Sequence, residues 1–92
     1  MSTMLFLMAQ YNGQAVVPVE KVCKDYFSHL SLDKFLRKTS SGEIPLPVTR
    51  IEASQKSARG VHLSDLAQYI ESRREAAIKE QRQMTRGETA PA

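Results

Sequence analysis

The sequence predicts an α+β fold, on two observations. The segment 31–42 (SLDKFLRKTSSG), wound as a helix, places Leu32, Phe35 and Leu36 on one side. The roughly opposite side then carries, at i, i+3, i+4 and i+7, Lys34, Arg37, Lys38 and Ser41. The following segment 44–63 (IPLPVTRIEASQKSARGVHL) contains two short β-prone runs around a polar, basic loop. A helix that is apolar behind and cationic in front, followed by a basic hairpin, is typical of a small winged helix-turn-helix.

Length and charge indicate a single small domain with one basic surface. The chain has 92 residues, enough for one domain with a modest core, and 41% of them are hydrophobic. Its net charge of +3 is mild, but six basic residues and two acidic ones lie between positions 34 and 59. Positive charge concentrated on one structural unit favours a phosphate-binding surface. The alternative is a solvated charged face with no ligand.

The single cysteine, Cys23, excludes a disulfide framework and fits a reducing cytoplasm, so we expect a cytoplasmic protein. The apolar run Met4–Ala9 is much shorter than the roughly 20 residues that span a bilayer. It also has no basic residue before it, so we expect neither a membrane segment nor a secretory signal.

The N-terminal segment is predicted to form a β-hairpin. Asn12-Gly13 is the favoured pair for a two-residue turn in which both residues have positive φ, and β-prone residues flank it. A short helix over Thr3–Gln10 is the alternative, since Leu, Met, Ala and Gln are good helix formers.

Two short helices follow. The first begins at about Pro18 and ends near Phe27 or Ser28, with an apolar stripe formed by Val19, Val22, Cys23, Tyr26 and Phe27. Ser31 is expected to cap the second helix, and Gly42 to end it in the left-handed conformation. A connection of about three residues between them matches a helix-turn-helix.

The predicted wing and C-terminal helix complete the domain. Val48–Ile51 is assigned to a strand, Glu52–Gly60 to a loop and Val61–Leu63 to the returning strand. Ser64 is expected to cap a long C-terminal helix that runs towards Gln83. The domain is therefore assigned to residues 1–82, and residues 83–92 to a disordered tail.

Two stretches between about Leu5 and Glu75 carry a family resemblance: LFLMAQYNGQAVVPVEKVCKDYF and GEIPLPVTRIEASQKSARGVHLSDLAQYIESRRE. Within them, SQK and VHLSDLAQYI are the most distinctive runs. On these residues, most of the chain resembles the pyocin activator (PrtN) family of phage-derived regulators. The resemblance implies a DNA-binding transcriptional activator of bacteriocin or prophage genes. The order of elements is also similar to that of excisionases.

The candidate DNA-binding residues fall in two groups. In the second helix, Arg37 is suited to guanine in a major groove, while Lys34 and Lys38 suit phosphates. Ser41 completes that face. The wing contributes Arg50, Ser54, Gln55, Lys56 and Arg59, which suit a minor groove or flanking phosphates. Polar surface residues without a ligand are the alternative for both groups. Ser57 and Gly60 are assigned to the turn.

No catalytic site, metal site or cofactor is predicted. Cys23 lies on an apolar stripe and is assigned to the core. His29 and His62 have no carboxylate or thiol partner at ligand spacing, and the chain has no glycine-rich phosphate loop. An enzyme is therefore disfavoured.

The C-terminal helix is longer than so small a domain needs and carries Ala76, Ala77 and Ile78 among charged residues. This predicts a homo-oligomer, formed through that helix or through the edge of the N-terminal hairpin. A solvated helix with ion pairs such as Glu75–Lys79 is the alternative.

The sequence leaves several functions open. Double-stranded promoter DNA is the expected partner, and RNA polymerase is a further candidate. Within DNA binding, an excisionase-type architectural protein or a repressor is the alternative to an activator. From another class, a small phage adaptor that binds a protein is the alternative.

Overall fold

The computed structural model of the chain describes residues 2–54 and 57–89. Its fold is α+β, with four helices and a three-stranded antiparallel sheet. In chain order the elements are α1 (Thr3–Gln10), β1 (Val16–Pro18), α2 (Val19–Tyr26), α3 (Leu32–Ser41), β2 (Thr49–Arg50), β3 (Arg59–His62) and α4 (Leu63–Thr89). None of the helices in the described part of the chain could span a lipid bilayer.

Strand β3 is the centre of the sheet, in the order β1-β3-β2. It pairs with β1 through Val17 opposite Val61, and with β2 through Arg50 opposite Arg59. Gly60 lets β1 approach closely, because a Cβ at this position would contact the Val16 side chain and lie 2.8 Å from the Val17 carbonyl oxygen. The sheet therefore ties the segment before α2 to the segment before α4.

The core lies between the sheet and the four helices. Each of the secondary-structure elements except β2 contributes a fully or nearly fully buried side chain, including Leu7, Val17, Val22, Phe35, Val61 and Leu66. Aromatic rings connect three parts of the core: the Phe27 ring lies 4.7 Å from the Phe35 ring and 5.7 Å from the Tyr69 ring, centroid to centroid. These contacts join α3 to α4 through the residue that ends α2.

The prediction of an N-terminal β-hairpin is wrong, and the alternative helix over Thr3–Gln10 has the observed bounds of α1. Asn12 and Gly13 do have positive φ, 55° and 74°, as the turn prediction required. However, they end a helix: the Gly13 amide donates to the Met8 carbonyl (2.7 Å) in the manner of a Schellman motif. The same backbone requirement thus serves a helix end here instead of a hairpin turn.

Polar contacts hold α1 against α2 and α4. The Tyr11 hydroxyl donates to Asp25 Oδ2 (2.7 Å), and burial together with this bond raises the pKa of Tyr11. At the other end of α1, Thr3 Oγ1 donates to Glu71 Oε1 (2.6 Å). The exposed side of α1 remains apolar, with Leu5 57% and Phe6 58% exposed.

The two central helices follow the sequence prediction. Helix α2 begins directly after Pro18, and Val19, Val22 and Cys23 are buried. Helix α3 begins after Ser31 and ends at Gly42, which has a φ of 83°.

Helix α4 differs from its prediction at both ends. Ser64 does not cap it: the helix begins at Leu63, and the Ser64 amide donates to His62 Nδ1 (3.0 Å), so His62 occupies the capping position. The helix also continues to Thr89, because the Glu, Lys, Gln and Arg residues around position 80 are good helix formers. Residues 83–89, assigned to a disordered tail, are therefore helical, and residues 90–92 lie outside the described residues.

The strand bounds also shift. Strand β2 is shorter than the predicted Val48–Ile51, and β3 begins before the predicted Val61–Leu63, because the pairing with β1 includes Gly60. In the connecting loop, Ser57 Oγ accepts from the Glu52 amide (2.9 Å), so Ser57 serves the turn as predicted. Gly60 does not, because it lies within β3.

Gly60→Ala tests this close approach of β1 and β3. The added methyl group has no space, so we expect the free energy of unfolding to fall by about 1–3 kcal/mol. Urea denaturation followed by circular dichroism measures it. Gly42→Asn is the control. A Cβ added at Gly42 would have no non-neighbouring atom within 4 Å, and asparagine tolerates the positive φ at this position. Equal free energies of unfolding for Gly60→Ala and the parent protein would contradict the close approach of β1 and β3 at Gly60.

Candidate nucleic-acid interface

The rotation of α3 about its axis is set by Phe35, which is 0% exposed and packs on Phe27. Leu32 and Leu36 are half-buried on the same side of the helix. The opposite side is left to solvent, and Lys34 and Arg37 are exposed there. The predicted division of this helix into an apolar back and a cationic front is therefore observed.

Both ends of α3 are closed by hydrogen bonds. Ser31 Oγ accepts from the Lys34 amide (3.2 Å), and Asp33 places a negative charge in the first turn. After Gly42 the chain turns back, and the Ile44 amide donates to the Lys38 carbonyl (3.0 Å). These local bonds give the ten-residue helix a defined start and end.

The front of α3 forms a shallow depression of about 440 Å³, which we call the α3 depression. It is lined by Leu30, Lys34, Arg37, Lys38, Ser41 and Glu43. Within the described residues Lys34 and Arg37 have no acidic partner, whereas Lys38 Nζ lies 3.7 Å from Glu43 Oε2 and its side chain is 40% exposed. The positive charge of this surface is therefore carried mainly by Lys34 and Arg37.

A second depression of about 200 Å³ lies between α3 and strands β2 and β3, and we call it the strand depression. It is lined by Leu36, Thr39, Ser40, Leu46, Pro47, Val48, Arg50 and Arg59. Arg50 and Arg59 are direct cross-strand partners, and both are exposed. Like charges in this position repel each other, so a bound anion would stabilise the pair.

The structure thus brings most of the predicted residues to α3 and its neighbouring strands. Ser41 lines the α3 depression, but its Oγ donates to the Lys38 carbonyl (3.1 Å) and accepts from the Glu43 amide (3.3 Å). Ser54 is exposed in the loop and lines neither depression. Gln55 and Lys56 lie outside the described residues, so their positions stay predictions.

Sequence reasoning missed three residues of this surface. Thr39 and Ser40 face the strand depression, which the helical pattern of α3 could not reveal because β2 and β3 form its other side. Glu43 pairs with Lys38 after the turn at Gly42. A negative charge five residues after a lysine, across a glycine turn, is a signal that could have found this pair.

The reactive residue types have structural roles. Cys23 is buried, as predicted, and its thiol lies 3.7 Å from the Phe27 carbonyl oxygen and 3.6 Å from that of Leu30. Burial raises the pKa of the Cys23 thiol, which keeps it protonated at neutral pH. His62 caps α4 through its ring nitrogen.

A comparison with protein families gives a match over most of the chain. A family model described as pyocin activator protein PrtN matches residues 3–77. The matched range includes α1 to β3 and the part of α4 that packs on the core. No curated protein and no solved structure matches the chain.

Ser31→Ala tests how α3 is held. Loss of the capping oxygen leaves the Lys34 amide without its partner, so we expect the free energy of unfolding to fall by about 1 kcal/mol. Thermal unfolding measures the change. Ser40→Ala, within the same helix, is the matched control and should be neutral or slightly stabilising. An equal effect of both changes would show that Ser31 does not act as a cap.

Proposed function

The chain belongs to the pyocin activator protein PrtN family, a family of transcriptional activators, and from this premise we propose that it binds promoter DNA sequence-specifically. The observation that carries the proposal is the exposed cationic front of α3, opposite a fully buried Phe35. Such a helix can enter a major groove while the domain behind it stays packed.

In the proposed complex, α2 and α3 act as a helix-turn-helix and β2–β3 with its loop as a wing. Arg37 forms two hydrogen bonds to a guanine edge, because a guanidinium matches its two acceptors. Lys34 contacts a phosphate. Lys38 contributes less, because Glu43 already neutralises part of its charge.

The wing is proposed to bind the sugar-phosphate backbone next to the groove. Arg50 and Arg59 are two exposed cations opposite each other on paired strands, and they share the strand depression with Thr39 and Ser40 of α3. A phosphate there would offset the repulsion between the two guanidinium groups. Ser54, Gln55 and Lys56 extend this contact along the loop.

Family membership supports an activator over the alternatives of a repressor or an excisionase-type protein. Bacteriocin or prophage genes are the proposed targets, and the cytoplasm is the proposed location. The protein is not proposed to be an enzyme. RNA polymerase stays a candidate partner of the DNA-bound protein.

A protein-binding adaptor is the second candidate function, and one observation favours it. The outer side of α1 exposes three large apolar residues, Leu5, Phe6 and Met8, close together on one helix. Exposed apolar patches of this kind occur at protein interfaces. The two functions differ in their dependence on charge, which the following measurements use.

Arg37→Glu should abolish binding to a fluorescein-labelled duplex taken from the DNA upstream of the neighbouring genes. The fold should be retained, because Arg37 is exposed. Fluorescence anisotropy measures binding, and circular dichroism the fold. Arg82→Glu makes the same change in net charge on α4 and is the matched control, with an expected affinity within about threefold of the parent. Equal affinities of the two variants would contradict the role of α3.

Salt dependence separates a DNA-binding protein from an adaptor. If Lys34, Arg50 and Arg59 each contact a phosphate and displace counterions, affinity for the duplex should fall about 40-fold between ~50 and ~200 mM salt. Anisotropy titrations at four salt concentrations give the slope. A flat dependence would favour the adaptor, because apolar contacts are little screened by salt.

A further inference from the structure

Helix α4 extends well beyond the domain. It has 27 residues, about 40 Å of helix, and the molecule measures 58 × 30 × 20 Å. The side chains of Thr3 in α1 and Glu71 in α4 form a hydrogen bond near the point where α4 leaves the domain. From Ser72 to Thr85 all side chains are exposed except Ala76 and Ile78, which are half-buried. A helical stretch of about 14 residues without tertiary packing is marginal in water.

One line of residues along α4 passes from the core to the solvent. Leu63, Ile70, Ala77 and Met84 lie at intervals of seven residues. Leu63 is 1% exposed, Ile70 is half-buried, Ala77 is exposed and Met84 is 64% exposed. Apolar residues seven apart lie on one line of the helix surface, and such a line forms half of the seam along which two helices pack side by side. The outer half of the repeat has no partner within the described residues.

An aromatic groove of about 280 Å³ lies where α4 leaves the domain. Its walls include Tyr26, His29, Tyr69, Ile70 and Arg73, with Phe27 and Leu66 behind them. Methionine fills irregular apolar sites and makes favourable contacts with aromatic rings. An exposed methionine on a second helix therefore suits this groove.

We propose that α4 packs antiparallel against α4 of a second copy of this chain, with the two helices crossing at Ala77. This register places Ile70 opposite the second copy's Met84, and Ala77 opposite its equivalent. The small Ala77 side chain lets the helix backbones approach closely. Each copy's Met84 then covers the aromatic groove of the other copy. This contact buries Met84 of one helix and Ile70 of the other at each end of the paired segment.

The charges on α4 favour this orientation. At 100° per residue, Arg73 and Glu80 lie on one flank of the apolar line, and Arg74 and Gln81 on the other. Antiparallel helices bring equivalent flanks together, so Arg73 lies beside the second copy's Glu80, and symmetry makes this contact twice. A parallel pair would instead place Arg73 beside Arg74 of the second copy, and these charges repel.

The proposal goes beyond the proposed function, because it concerns a surface of α4 that shares no lining residue with either depression, and because it needs no DNA. Pairing through α4 would give one particle two copies of α3, related by a two-fold axis. A two-fold protein matches a palindromic operator. Its test is made without DNA, so its failure is distinguishable from a failure of DNA binding.

Sedimentation equilibrium of the full chain at ~5 to ~200 µM measures the association. We expect a dimer, and Glu80→Arg should raise its dissociation constant about tenfold, because two attractive contacts become repulsive. Glu75→Arg, the same change on the opposite side of the helix, is the matched control and should leave the constant within about twofold. The exchange Arg73→Glu with Glu80→Arg should restore dimerisation.

Disulfide trapping tests the orientation. In a Cys23→Ala background, Ala77→Cys should give an oxidised dimer, whereas Met84→Cys should stay monomeric on a non-reducing gel, because equivalent positions meet only at the crossing. A strict monomer in sedimentation would overturn the proposal. So would equal trapping of both variants, which indicates a parallel pair, or a dimer in which neither is trapped, which indicates another surface such as α1.

Discussion

The packing of Phe35 against Phe27 is the contact on which the rest of the surface depends. Phe35 is fully buried, and its ring is linked through Phe27 to Tyr69 of α4. Turning α3 by one residue, about 100°, would expose this ring and carry a lysine or a half-buried leucine into its place. Burial of an unpaired charge costs more than burial of the ring gains, so the cationic front of α3 must face solvent.

The sheet supplies the second constraint. Because β3 pairs with both β1 and β2, the strands that carry Arg50 and Arg59 are fixed to the strand that leads into α2. The close approach of β1 to Gly60 leaves no space for a side chain at this position of β3. The front of α3 and the β2–β3 pair thereby carry five exposed or partly exposed cations, in two depressions that both have α3 as a wall.

The central helices could be predicted because their ends depend on local signals. Contacts between segments that meet only in the folded chain could not be predicted. Ser31 and Gly42 mark the ends of α3, because capping needs only neighbouring residues. Asn12-Gly13 was misleading, since positive φ is required equally by a hairpin turn and by the end of α1. The cationic residues of the site were visible in the sequence. Thr39, Ser40 and Glu43 were not, because their roles arise where the chain folds back across the Gly42 turn and onto β2.

A nuclear magnetic resonance titration of the ¹⁵N-labelled protein with duplex DNA from the region upstream of the neighbouring genes tests most directly whether α3 and the β2–β3 pair bind DNA. If they do, amide signals move at Lys34, Arg37, Arg50 and Arg59, and signals on the exposed side of α1 stay in place. Movements confined to Leu5, Phe6 and Met8, or an unchanged spectrum at saturating duplex, would contradict DNA binding by these elements.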